Sequence, residues 1–213
     1  MFLSKNKLKI FCIGAGKTGT TSIEKALSDF GYNMGNQSEG ELLLDDYIQR
    51  NFKAIINFCK TADAFQDAPF CFQHTYQALD QYYPKAKFVL TIRDSDTVWY
   101  QSLVRFHSKL FADGKRIPTW KDLKQAPYRY KGYTAEVRKN VFGIFEYEAP
   151  YHEEKLKKYY NTHNASVADY FKNKNNLLIL NISEPEAYQK LCEFLNKKPL
   201  YDVFPWENKT SEL

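Results

Sequence analysis

The sequence predicts a three-layer α/β domain, with a mostly parallel sheet of four or five strands and helices on both faces. Three observations predict it. Leu8 to Ile13, Lys87 to Ile92 and Leu177 to Ile182 are short, nearly continuous apolar runs, the pattern of strands covered on both sides. Helix-period segments separate them, as parallel connections require. The first run also breaks into glycines, a lysine and hydroxyls before becoming helical.

That first unit is Ile10-Phe-Cys-Ile-Gly-Ala-Gly-Lys17-Thr-Gly-Thr-Thr-Ser22. Ile23, Ala26, Leu27 and Phe30 follow at helical spacing, and Gly31 stands where a helix stops. A strand, a glycine loop and a helix start aim backbone N–H groups at one point, which favours an anion. Gly14, Gly16 and Gly19 allow close approach, Lys17 adds charge, and Thr18, Thr20, Thr21 and Ser22 can donate to oxyanions. The plainer alternative is an ordinary strand-to-helix turn. Gly14 and Gly19 have the separation of the nucleoside triphosphate loop, but that loop places lysine after the second glycine, where this chain has Thr20.

The chain has 213 residues with 44% hydrophobic content, enough for one domain spanning 1–213. Cys12, Cys59, Cys71 and Cys192 form no C-x-x-C pair, so neither a zinc site nor a disulfide framework is expected, and a reducing cytoplasm is the expected home. Met1 to Lys7 lacks a signal-peptide pattern, and no apolar run has spanning length. The net charge of +5 concentrates between Leu103 and Pro150, with ten basic residues against five acidic. Such a segment steers an anion or binds nucleic acid, unless it is a solvated basic face.

Gly31 to Gly40 reads as a loop and Glu41 to Lys60 as one or two helices. Ala62 to Asp67 is a candidate short strand that places Asp67 at a strand end, before Ala68-Pro69, where open parallel sheets bind ligands. A turn aspartate explains the position equally well. Phe70 to Tyr83 looks helical and carries His74, a potential base or a packed imidazole. Arg93 directly follows the Lys87 to Ile92 strand, and its planar fork suits a phosphate. Ser95 or Asp94 caps the helix that follows. Lys115 to Tyr133 reads as irregular and partly helical, Glu153 to Phe171 as a long amphipathic helix, and Pro185 to Asn196 as the last helix.

Lys17-Thr-Gly-Thr-Thr resembles the 5′-phosphosulfate loop of sulfotransferases that use 3′-phosphoadenosine 5′-phosphosulfate (PAPS). Phe88-Val-Leu-Thr-Ile-Arg-Asp followed by Trp99-Tyr100-x-Ser102 resembles their 3′-phosphate segment, although a common spacing puts the serine eight residues after the arginine and Ser102 is ninth. Tyr160-x-x-His163-Asn164-x-x-Val167, Leu191-Cys-x-Phe-Leu and Phe204-Pro-x-x-Asn208 continue the likeness in order. The resemblance implies a P-loop-like fold and a sulfotransferase in which Gly16, Lys17, Thr18, Gly19, Thr20, Thr21, Ser22, Arg93 and Ser102 hold PAPS. It further implies Lys17 as charge stabiliser, Asp67 or His74 as base, residues 103–150 as the cap over a small-molecule or glycan acceptor, and no metal. The competing readings are a small-molecule kinase with a variant phosphate loop and a non-catalytic nucleotide-binding or nucleic-acid-binding protein.

Overall fold

The computed structural model describes residues 8–205; Met1 to Lys7 and the Trp206 to Asn208 end of the last resembling motif lie outside the described residues. Four strands, β1 (Ile10–Cys12), β2 (Ala64–Phe65), β3 (Lys87–Thr91) and β4 (Leu177–Leu180), form one sheet in the order β2-β1-β3-β4. Every pairing is parallel, with Phe11 opposite Phe65 and Phe88, and Phe88 opposite Leu177. All four carboxyl ends therefore share one edge.

The period of two along β1 divides the core. Phe11 and Ile13 face a cluster with Ile55, Phe70, Tyr76, Leu79, Val167 and Phe171. Ile10 and Cys12 face the opposite cluster with Ile23, Ala26, Leu27, Tyr188, Leu191 and Leu195. The first face carries α4 (Phe52–Phe58), α5 (Thr75–Tyr82) and α9 (Glu153–Phe171), and the second carries α1 (Thr20–Asp29) and α10 (Ala187–Leu195). This is the expected three-layer α/β arrangement.

Local chemistry sets most boundaries. Ser95 accepts from the Val98 N–H and starts α6 (Asp96–Phe111). Asn196, left-handed at φ 54°, closes α10. Four expectations are corrected. The supposed loop 31–40 ends in a short helix, α2 (Gln37–Glu41), because the Asn36 side chain accepts from the Ser38 and Glu39 N–H groups. The helix expected from Phe70 starts only at Thr75, since His74 is left-handed at φ 68°. Expected strand 62–67 shrinks to two residues before Asp67 turns left-handed at φ 61°. Leu177 to Ile182 is an edge strand rather than a covered one, and Ile179 is 45% exposed.

Beyond the shared edge lies a third cluster, which includes Trp99, Leu103, Leu123, Ala135, Ile144, Leu156 and Tyr160. It joins α6 and α9 to two short helices, α7 (Trp120–Gln125) and α8 (Tyr133–Asn140). The Thr119–Asp122 capping box fixes α7. The one or two helices expected over Glu41 to Lys60 resolve as α3 (Leu44–Ile48) and α4.

Candidate active site

The loop after β1 is held from behind by three different elements, β3, α6 and α9. At Gly14 a Cβ would lie 2.1 Å from Thr91 Oγ1 and 2.4 Å from the Thr91 carbonyl, so only glycine lets β1 run this close to β3. Trp99 Nε1 on α6 donates to Gly16 O at 2.9 Å, and the indole stacks on Tyr160 at 4.6 Å. His163 Nε2 on α9 lies 2.7 Å from Ile13 O, and the Tyr160 hydroxyl accepts from the Arg93 N–H at 2.9 Å. Burial lowers the His163 pKa, so the ring is a neutral donor to that carbonyl. The resembling Trp99, Tyr160 and His163 thus act together as a scaffold under the loop.

The loop's hydroxyls divide. Thr18 is fully buried, donates to Ala15 O at 2.6 Å and meets Thr91 Oγ1 at 2.5 Å. Its one proton goes to Ala15, so the Thr91 hydroxyl donates in return. The expectation that the Thr18 hydroxyl serves an oxyanion is therefore corrected: the left-handed Lys17 (φ 73°) turns it into the core. Thr20 and Ser22 are also buried, and Thr21 is exposed. Gly19, at φ 104°, precedes α1 with its Cα against Ile182, and no side chain caps the helix start. A helix start of this kind favours an anion, and no acidic residue stands in its first turn to repel one.

Arg93 is bound to this loop. Its Nε donates to Lys17 O at 2.8 Å, and among the described residues no carboxylate pairs with its guanidinium. The adjacent Asp94 instead accepts from Asn181 Nδ2 at 2.5 Å. Ser102 is half-buried on α6, and its Oγ finds no partner among the described residues.

A cavity of about 150 Å³ opens beside the loop. Gly16, Lys17 and Asp67 line one part of it, and Phe72, Leu103, Phe106, Phe142 and Tyr159 line much of the rest. Lys17 Nζ lies 3.4 Å above the centre of the Phe106 ring. Burial lowers the Lys17 pKa, Asp67 opposes that shift and Arg93 adds to it. Asp67 Oδ1 accepts from the Ala68 N–H at 2.9 Å and lies 3.6 Å from where a Gly16 Cβ would stand. Burial raises the Asp67 pKa, against the pull of that N–H and of Lys17.

His74 is not part of this assembly. It is exposed at the start of α5, with Nδ1 3.4 Å from Gln77 Oε1, and does not line the cavity. The structure thus brings Lys17, Asp67 and Arg93 together and leaves His74 outside. Glu41, His107 and Arg138 were not expected, yet all three line the cavity. Glu41 is buried and ion-paired with Arg129 Nε at 2.7 Å, and it accepts from Gln37 at 2.7 Å. Arg138 could have been noticed from the sequence, since it follows Thr134 by four residues and so shares the face of α8 that holds Tyr133 and Thr134.

The basic segment is also less basic than its composition. Arg116 pairs with Asp122, Lys124 and Lys139 with Glu146, and Arg129 with Glu41. Among the described residues no cluster of three or more His, Cys, Asp or Glu is placed to hold a metal ion, and no helix is long and apolar enough to cross a membrane.

Strand, glycine loop and uncapped helix at the carboxyl edge of a parallel sheet define a P-loop-like fold, an arrangement that favours an anion. Within that class the particular family is also shown. A family model described as a sulfotransferase domain matches residues 9–213, and the chain belongs to that family. The displaced lysine agrees with it, and the kinase reading gives way to sulfuryl transfer. A comparison with curated proteins returned no match.

Proposed function

We propose that the protein moves a sulfuryl group from PAPS to a hydroxyl or amine of a small-molecule or glycan acceptor, releasing 3′-phosphoadenosine 5′-phosphate (PAP). The observation that carries this reading is the meeting of Lys17 and Asp67 at one cavity, with Arg93 bonded to the Lys17 carbonyl and free of any carboxylate among the described residues. The residues fit the donor: a helix start without a side-chain cap suits a 5′-phosphate, and a guanidinium that no carboxylate pairs among the described residues suits a second one.

PAPS supplies an activated sulfuryl group on a phosphate leaving group. Like phosphoryl transfer, the displacement asks the protein for position and charge rather than covalent chemistry. The backbone from Gly16 to Ser22 binds the 5′-phosphate, with Thr20, Thr21 and Ser22 as candidate side-chain contacts. Lys17, cationic and close to Asp67, offsets charge on the leaving oxygen. Arg93 takes the 3′-phosphate with the N–H groups left after its bond to Lys17, and the unpartnered Ser102 hydroxyl is its candidate companion. Asp67 accepts the acceptor's proton at a carboxylate oxygen; its raised pKa makes it a stronger base than an exposed aspartate. His74, second candidate for that role, is disfavoured by its exposure outside the cavity. The aromatic walls contributed by residues 103–150 exclude water and form the acceptor side. Four free, buried cysteines are compatible with a cytoplasmic setting.

Thermal shift with PAP against ATP plus magnesium, followed by transfer of labelled sulfate from PAPS to an acceptor panel, tests the reading. Stabilisation by PAP and loss of most transfer in Lys17→Ala and Asp67→Asn are expected. Stabilisation by ATP alone would sink it, and full transfer by Asp67→Asn would return the base role to His74 or to water.

A further inference from the structure

Arg138 is 2% exposed, yet among the described residues it has no acidic partner. One of its terminal nitrogens donates to His107 Nδ1 at 2.8 Å, and its guanidinium faces the rings of Tyr151 at 4.5 Å and Phe142 at 5.1 Å. Its Nε is buried and finds no partner among the described residues. These surroundings supply no counterion among the described residues, and a cation placed in them is costly until an anion joins it. Every carboxylate of the surrounding segment is engaged elsewhere. Asp122 holds Arg116, Glu136 accepts from Tyr130, Glu146 holds two lysines, Glu148 holds Lys155, and Asp113 accepts from backbone N–H groups.

The same bond fixes the neighbouring histidine. A guanidinium only donates, so His107 Nδ1 must be the acceptor and the ring proton must sit on Nε2. The Tyr151 hydroxyl lies 2.9 Å from the same Nδ1, whose single lone pair it shares with Arg138, and Arg138 also hydrogen-bonds that hydroxyl. Burial and the nearby charges of Arg138 and Lys17 hold the His107 pKa well below its ordinary value, so the ring stays neutral. No described protein group accepts from Nε2. Both Arg138 and His107 line the cavity that also holds Lys17 and Asp67, and His107 directly follows Phe106, the ring beneath the Lys17 ammonium. This wall offers a buried cation and an unused N–H donor. The walls around it are largely apolar.

We infer that the acceptor is a hydroxy acid with an apolar body, its carboxylate or equivalent anion paired with Arg138 and assisted by the His107 Nε2–H while its hydroxyl lies at Lys17 and Asp67. The hydroxyl half of this assignment rests on the sulfuryl-transfer reading; the anion half does not. Arg138 is then a specificity-determining residue. It selects among acceptors and takes no part in the transfer itself.

The test uses matched pairs: 3-(4-hydroxyphenyl)propanoate and 6-hydroxyhexanoate, each against its N-methyl amide. Binding is followed by calorimetry and thermal shift with and without PAP, and transfer by labelled PAPS. The acids should exceed their amides in kcat/KM by on the order of 100-fold, the scale of truncating a buried charge pair. In Arg138→Leu the acids should lose that advantage through KM, with kcat little changed and the amides unaffected, and Arg138→Lys should recover part of it. A purely packing role for Arg138 would affect both members of a pair alike. Should Arg138→Leu fail to fold, the wild-type comparison decides alone. Equal binding of acids and amides, or binding of neither, overturns the inference. Selective acid binding without PAP binding keeps the anion site and discards sulfuryl transfer; PAP binding without acid preference does the reverse.

Discussion

Arg93→Met separates the two tasks given to this arginine. Its Nε bond to Lys17 O at 2.8 Å is charge-assisted, and losing such a bond costs about 1.5–3 kcal/mol. Opposing that loss, the variant no longer holds a half-buried cation that no carboxylate pairs among the described residues, and whose charge burial disfavours against the pull of nearby Asp94. The two effects leave a net change on the order of 1 kcal/mol, or roughly 2–4 °C in Tm for a chain of this size. Affinity should change far more. Truncating one side of a buried, hydrogen-bonded charge pair costs about 2–5 kcal/mol, so PAP binding should weaken roughly 30- to 5000-fold. AMP, which lacks the 3′-phosphate, should weaken only slightly. Calorimetric titration of both nucleotides with both proteins closes a cycle in which the wild-type preference for PAP collapses in the variant. A retained preference would refute the assignment of Arg93 to the 3′-phosphate. Equal weakening of both nucleotides would instead make Arg93 a support for the loop through Lys17.

Thr18→Val should lower stability by about 1–3 kcal/mol in urea unfolding, since it strands Thr91 Oγ1 and Ala15 O, while PAP affinity of the folded fraction stays within about threefold. Gly14→Ala should cost more than about 3 kcal/mol or prevent folding, because the new methyl meets the backbone of Thr91 on the neighbouring strand; solubility and circular dichroism report it. Asp67→Asn should abolish the acidic limb of the kcat/KM profile along with most turnover. Its stability effect has a defined sign: burial raises the folded-state pKa of Asp67 above 3.8, so the folded state holds the proton longer and wild-type stability falls as pH rises through that window. The Asn variant lacks this loss, and Tm measured from pH 3 to 8 should show the curves diverging in its favour as pH rises.

Much of the fold was legible because continuous apolar runs and cap residues are local signals. β1, β3, the 153–171 helix and the Ser95 cap follow from a few adjacent residues each. An apolar run does not say whether its far face is covered, so β4 could not be recognised as an edge strand until the sheet order placed nothing beyond it among the described residues. The site is harder to read for a related reason. Thr18 and Thr20 are identical in type and both buried, but only backbone geometry at Lys17 shows that Thr18 spends its hydroxyl on Ala15. Asp67 and His74 are both left-handed, and one faces the cavity while the other faces solvent. Arg138 disappeared into a count of basic residues because its partner His107 lies 31 positions earlier, and no local pattern carries that contact.

Lys17 ties these parts into one device. Its left-handed backbone presents the carbonyl to Arg93 and its side chain presents the ammonium to the Phe106 ring on α6. A single residue therefore spans the strand-end arginine and the aromatic wall of the cavity, which neither Gly nor a shorter side chain could do. Were lysine placed after Gly19, as in nucleoside triphosphate loops, it would start within α1, whose first residue is Thr20, and lose the Arg93 contact made through its own carbonyl. The displacement that distinguishes this loop in sequence is thus the same displacement that lets its backbone couple to Arg93. Under the proposed sulfuryl transfer, charge on the leaving oxygen and recognition of the second phosphate would be linked through Lys17, and Arg93 variants should disturb Lys17 even where they leave the fold intact.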